Sequence, residues 1–177
     1  MTVIVVLVVV LAGGGSGTAK NLTPTLAAAG CTFHTYPSQG RGHYLTLHPK
    51  DVIKYNSFPP TSGKHYYVPA VWGNYTSPLV PIQEVHNLEH GGIIIQYGSS
   101  VPGAEVDKIN TFYSSDPVGM LVAPLPALGD KIALTAWTHL ATCTHVNDKA
   151  FKAFREAYRF KGPESPVIPL SAMQPGV

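Results

Sequence analysis

Gln83-Glu84-Val85-His86-Asn87-Leu88-Glu89-His90-Gly91-Gly92, running directly into Ile93-Ile94-Ile95-Gln96-Tyr97, places two imidazoles four residues apart in front of a β-branched run. On a helix, positions i and i+4 lie one turn apart on the same face, so both rings can reach one ion at about 2 Å from each nitrogen. On a strand the same spacing separates them by roughly 13 Å. Local signals favour the helix. Pro81 suits a first helical position, where its missing N–H is not needed, and Gly91 suits the left-handed residue that ends a helix. Ile82, Val85 and Leu88 then form an apolar stripe, while Gln83, His86 and His90 fall on another face and project away from the core. The Ile93–Tyr97 run reads as a buried strand.

Outward from this segment, the spacing predicts short strands at His43–Leu47, Lys64–Val68, Met120–Ala123 and Lys131–Trp137. Helices are predicted at Ala104–Ser114 and at Asp148–Lys161, the latter capped by Asn147 or Asp148 and stopped by Gly162-Pro163. Its Lys149, Lys152, Arg155 and Arg159 read as a solvated face. The expected fold is α+β: a small, mostly antiparallel sheet packed by two main helices, with long Pro/Gly-rich loops. The 17 glycines and 16 prolines account for the loops. The 177 residues suffice for one domain with a real core.

Residues 1–19 lack charge and carry the apolar stretch Val3–Ala12, followed by a Gly-rich joint; they read as an export signal or N-terminal membrane anchor. Residues 20–30 read as a surface linker, and 31–177 as a single globular domain. Localisation outside the cytoplasm, secreted or anchored, is the consequence. A net charge of +2 argues against nucleic acid as a partner. In an exported chain the two cysteines, Cys31 and Cys143, suggest one long-range disulfide. The competing arrangement combines them with His34, His139 and His145 in a zinc site.

Eight histidines stand in a chain with only 12% charged residues. His65 follows Pro59-Pro60-Thr61-Ser62-Gly63, where two prolines and a glycine can fix one side chain in place. His43 follows Gly40-Arg41-Gly42 in a similar way. The ligand set expected is therefore His65, His86 and His90, with His43 in reserve, and Glu89 or Glu84 orienting an imidazole from behind. Imidazole donors outside the cytoplasm favour copper or zinc, and Met120 or Met173 could add a thioether for copper(I).

Pro59-Pro60-Thr61-Ser62-Gly63-Lys64-His65, Trp72-Gly73-Asn74-Tyr75 and Val85-His86-Asn87-Leu88-Glu89-His90-Gly91 together resemble the motifs of domain-of-unknown-function family 3105. The resemblance extends more faintly from about Cys31 to Gly162-Pro163. It implies an exported or membrane-anchored, mostly bacterial protein, and carries no reaction with it. The functional expectation is an extracytoplasmic metal-binding protein, used in metal handling or in support of a membrane redox assembly, with a membrane-associated protein as partner. Two alternatives stand beside it. One is a non-metal protein-interaction module whose Tyr and His residues form a wet surface. The other is a zinc-dependent hydrolase using His86-Asn87-Leu88-Glu89-His90, with Glu156 or Glu164 as third ligand and Glu89 as base.

Overall fold

The structure, a computed structural model, describes residues 22–165 and 167–177. The expected export segment, residues 1–19, lies outside them. Among the described residues no helix is long and apolar enough to cross a membrane.

The described residues are α+β, with four α-helices and a six-stranded sheet among them. In chain order the elements are α1 (Leu22–Ala28), β1 (Thr32–Thr35), β2 (His43–Tyr44), β3 (His65–Tyr66), β4 (Gly73–Asn74), α2 (Pro81–Glu89) and β5 (Ile93–Tyr97). Then follow α3 (Gly103–Ser115), β6 (Met120–Pro124), β7 (Ile132–Ala136), β8 (His139–Cys143) and α4 (Asp148–Tyr158). The main sheet runs β1-β8-β7-β5-β6-β4. Its joins from β1 to β5 are antiparallel, whereas β5/β6 and β6/β4 are parallel. The sheet is thus mixed, not mostly antiparallel. The reason is α3, which carries the chain back across the sheet between β5 and β6 and so makes them parallel. The segments around Tyr44 and Tyr66, expected inside this sheet, instead pair with each other as a separate parallel ribbon.

Both sheet faces are covered, which explains the unbroken apolar run of β5. Ile93 and Ile95 face a core shared with α1, α3 and α4, whereas Ile94 faces the opposite side with Leu88 of α2, Trp72, Leu121 and Met173. Three helices therefore stabilise one face, and α2 shares the other with Trp72 and the C-terminal turn carrying Met173. The lead-in expected as a surface linker is largely helix: α1 buries Leu22 and Leu26 against the larger core. The α4 face is only partly solvated, because Arg155 is buried and Arg159 donates to Asp116 at 2.6 Å. The turn from β7 to β8 passes through Thr138 at φ 65°, a conformation a β-branched residue seldom adopts.

Cys31 and Cys143 form a disulfide, so the alternative Cys/His zinc site does not exist. His139 instead donates through Nδ1 to the Trp137 carbonyl at 2.7 Å. The bridge spans 112 residues and joins strands already paired at Thr32 and Thr142. Closing so long a loop restricts the unfolded chain. Replacing both cysteines with serine should lower the unfolding free energy by about 2–5 kcal/mol in urea titration, with native secondary structure kept by the β1–β8 pairing.

Glu84 on α2 is buried, with Gln96 Nε2 of β5 donating to its two carboxylate oxygens at 2.9 and 3.1 Å. Burial, opposed by that hydrogen bond, pushes its pKa from 4.5 up to about 7. The folded state therefore holds a proton that the unfolded chain releases above its ordinary pKa. The associated stability is complete below pH 4.5 and is lost as pH rises to about 7. It is on the order of 3 kcal/mol. In chelator-treated protein, wild type should lose stability relative to Glu84→Gln across that window; parallel curves would contradict a protonated Glu84. The pairwise comparison cancels the opposite slope of His86 and His90, whose pKa values are lowered.

Candidate metal centre

Helix α2 places the site's residues through its two faces. Pro81 stands in its first turn, and Ile82, Val85 and Leu88 are buried toward the sheet. Asn87 is fully buried and reads the backbone of the covering segment: its Nδ2 donates to the Ala70 carbonyl at 2.8 Å, and its Oδ1 accepts from the Ala70 N–H at 2.9 Å. Gly91, at φ 87°, ends the helix. Gly92 lets the Trp72 ring pack where a Cβ would collide with it. The histidine face, expected to project away from the core, is not open to solvent: His86 is buried. It is covered by the β2–β3 ribbon and its loops.

In that ribbon His43 stands directly opposite His65. Residues paired across neighbouring strands send their side chains to the same face, so both imidazoles meet α2. The surrounding loops are tied down by hydrogen bonds. The Tyr44 hydroxyl donates to the Asp51 carbonyl at 3.0 Å and accepts from Ile53 N–H at 2.9 Å, while Tyr55 donates to the Lys64 carbonyl at 2.6 Å. The rigid turn expected before His65 is present, with Thr61, Ser62 and His65 all fully buried.

The result is a cluster of His43, His65, His86 and Glu89 whose ligating atoms all lie within 4.8 Å of one another. His65 Nε2 is 3.1 Å and His43 Nε2 3.6 Å from Glu89 Oε2. Ring centroids are 4.7 Å apart for His43 and His65, and 4.9 Å for His65 and His86. A tetrahedral ion with bonds of about 2.1 Å separates its donors by about 3.4 Å, so side-chain rotation of roughly an ångström would close the set. The side chains of His65 and Glu89 are 0% and 1% exposed, and that of His43 is 39% exposed, which makes His43 the site's opening to solvent.

Hydrogen bonding at the far side of two rings decides what they present to the cluster. His65 Nδ1 lies 2.8 Å from the Gly63 carbonyl, and His86 Nδ1 2.8 Å from the Tyr66 carbonyl. A carbonyl only accepts, so both Nδ1 atoms carry hydrogen, and in the neutral rings both Nε2 atoms carry lone pairs. The contact between His65 Nε2 and Glu89 is not aligned as a hydrogen bond. His65 Nε2 and both Glu89 oxygens are buried without a hydrogen-bond partner among the described residues. Such convergence is relieved by a metal ion between the groups, or by a proton on His65 Nε2 facing the Glu89 carboxylate 3.1 Å away.

The charge states fit a ligand set. Burial, reinforced by the neighbouring His65 and His43, lowers the His86 pKa against the pull of the Tyr66 carbonyl and Glu89. Burial pushes Glu89 upward, but the contact with His65 and the charges of His65, His86 and His43 outweigh it, holding the carboxyl below its ordinary pKa. A neutral imidazole beside an ionised carboxylate is the form that binds a metal ion.

Several expected roles change. Glu89, expected behind an imidazole, lies at ligand distance itself, and the reserve histidine His43 belongs to the central group. His90 lies outside that group. It faces Glu164, with Nε2 3.5 Å from Oε2, and forms a second group with His86 and Glu164. Glu84 orients no imidazole, because its carboxylate is held by Gln96. Glu156 is exposed and pairs with Lys152, so of the two glutamates considered as third ligand only Glu164 approaches the histidines. Met120 and Met173 are core residues, one on each side of the sheet, and supply no thioether here. Sequence reasoning missed Asn87, whose role depends on a distant backbone, and Arg41, whose Nε stands 3.8 Å from Glu89 Oε1. The Gly-Arg-Gly step before His43 marked a turn but not this contact. Arg41 is 52% exposed, so solvent screens its charge and it offsets little of the carboxylate's.

What the arrangement can do chemically is hold a cation in three imidazoles and one carboxylate, with one side reachable from solvent. No curated protein and no solved structure matches the chain. Residues 47–169, more than two thirds of the chain, match the family described as protein of unknown function, DUF3105, a span that includes His65, His86, Glu89, His90 and Glu164 and begins after His43. The chain therefore belongs to the DUF3105 family.

Proposed function

We propose that this chain is an extracytoplasmic metal-binding protein that holds one divalent transition-metal ion between His43, His65, His86 and Glu89. The observation that carries the reading is the buried convergence of His65 Nε2 and the Glu89 carboxylate without hydrogen-bond partners among the described residues. Folding brings acceptors together at a cost that a cation would repay. Three imidazole nitrogens and one carboxylate oxygen suit zinc or copper(II). Copper(I) loses the support it had in sequence, since both thioethers considered are packed in cores.

The rings' far-side hydrogen bonds support the same reading, because metal-binding histidines commonly anchor the other nitrogen on a carbonyl. Export, either secreted or anchored through residues 1–19, is supported by the apolar N-terminal stretch and by the disulfide. Within that setting the protein serves metal handling, or support of a membrane redox assembly through a membrane-associated partner. A non-metal interaction module finds some support in an apolar groove of about 600 Å³ between residues 47–60 and the start of α2, beside exposed Val52 and Phe58. Hydrolysis is not favoured. Glu89, the required base, is packed against His65 with its carboxylate shut off from solvent.

Protein purified without a histidine tag and loaded with zinc or copper(II) should retain one equivalent. His65→Ala, His86→Ala and Glu89→Gln should each weaken binding at least about tenfold with far-UV circular dichroism unchanged. At a free metal concentration about 100 times Kd, binding should stabilise the fold by about 2.7 kcal/mol, visible as a rise in Tm. Trp137, whose ring lies 6.4 Å from His65, should report copper(II) by fluorescence quenching. Substoichiometric metal, indifferent to all three substitutions, would favour the interaction module.

A further inference from the structure

His86 belongs to two groups of potential ligands. The ligating atoms of His86, His90 and Glu164 also lie within 4.8 Å of one another. The rings of His86 and His90 are 4.5 Å apart, as their one-turn spacing requires. Glu164 arrives from the segment after α4, and backbone contacts place it. Its N–H donates to the Glu89 carbonyl at 3.1 Å, Phe160 N–H to the Gly91 carbonyl at 2.7 Å, and Ser165 Oγ to the His90 carbonyl at 3.1 Å. Gly91 and Gly162 pack so closely that a Cβ on either would collide with the other's backbone. The Glu164 carboxylate is thus delivered to His90 by the fold.

We propose that His86, His90 and Glu164 form a second, outer seat for a divalent transition-metal ion, and that the two seats share His86 and are filled one at a time. The inference rests on the inner site proposed above. Its physical basis is a limit on His86. Its Nδ1 is engaged by the Tyr66 carbonyl, which leaves one nitrogen and one lone pair for metal. A bridging imidazolate would need both nitrogens and would break that hydrogen bond. Completing one seat therefore empties the other of its common ligand.

The two seats differ in burial and in donors. The side chains of His90 and Glu164 are 14% and 31% exposed, against 0% and 1% for His65 and Glu89. The outer seat has two nitrogens and one carboxylate, one imidazole fewer than the inner. It binds more weakly and leaves coordination positions open to a donor from solvent or a partner. His86 would be the ligand common to either seat, and His43, 39% exposed, is the solvent-facing donor of the inner one.

Copper(II) is the probe, read by metal analysis and electron paramagnetic resonance on the full chain. Wild type should saturate at one equivalent. The double variant His65→Ala with Glu89→Gln should still take up one equivalent, at least about tenfold more weakly, with a spectrum showing fewer coupled nitrogens. Adding His90→Ala should abolish that residual binding. His90→Ala with Glu164→Gln alone should leave the inner stoichiometry at one. Two equivalents in wild type, or no residual binding in the double variant, would overturn the shared outer seat while leaving the inner site standing. Absence of metal from wild type would remove both. If the double variant does not fold, judged by circular dichroism, His43→Ala with Glu89→Gln provides the same comparison at the solvent-facing edge.

Discussion

Imidazole nitrogens and a carboxylate are held face to face inside this protein without an aligned hydrogen bond between them among the described residues. Two ring nitrogens are committed to backbone carbonyls on their outer sides, and the Glu89 carboxylate lies among the inner ones with no hydrogen-bond partner among the described residues. An isolated loop would relieve such an arrangement by turning a side chain outward. Here it persists because each participant is locked by contacts that have nothing to do with the cluster: α2 by its apolar stripe, His65 by a buried turn, His43 by its register in the ribbon. The rest of the fold can be understood as what makes this placement stable.

The division of labour across the sheet is central to that. Helices α1, α3 and α4, with the disulfide, consolidate one face. The other face carries α2 with Trp72 and Met173, and the polar side of α2 is covered by the long segment between β1 and β4. Asn87 joins the two by satisfying both backbone groups of Ala70. A buried amide with both partners supplied specifies the position of the covering segment more sharply than apolar contact could. The segment after α4 closes the remaining side through Gly162 against Gly91, which brings Glu164 within reach.

Much of this was legible in residues taken locally. Pro81 and Gly91 bound α2 where their backbone preferences predict, and the two cysteines pair with each other. The sheet's mixed character was harder to read, though the predicted helix between the strands at 94 and 121 is the signal for a parallel crossover. The return from β7 to β8 carried no turn signal, since Trp137-Thr138 lacks Gly, Pro, Asn or Asp. Helix α1 was obscured by its seven-residue length and by Thr and Pro within it. Short elements owe their conformation to burial more than to propensity.

Sequence by itself determined which donors exist and how α2 presents them: His86 and His90 one turn apart, and Glu89 adjacent, follow from helical geometry alone. Only the tertiary structure decided which donors share a cavity. A side chain's local spacing says nothing about residues twenty or seventy positions away, and here His43, His65 and Glu164 reach the helix through strand register and backbone contacts. That is why Glu89 moved from a supporting position to the centre of the cluster, why Glu84 turned to Gln96 beside the sheet, and why His90 found its partner in Glu164.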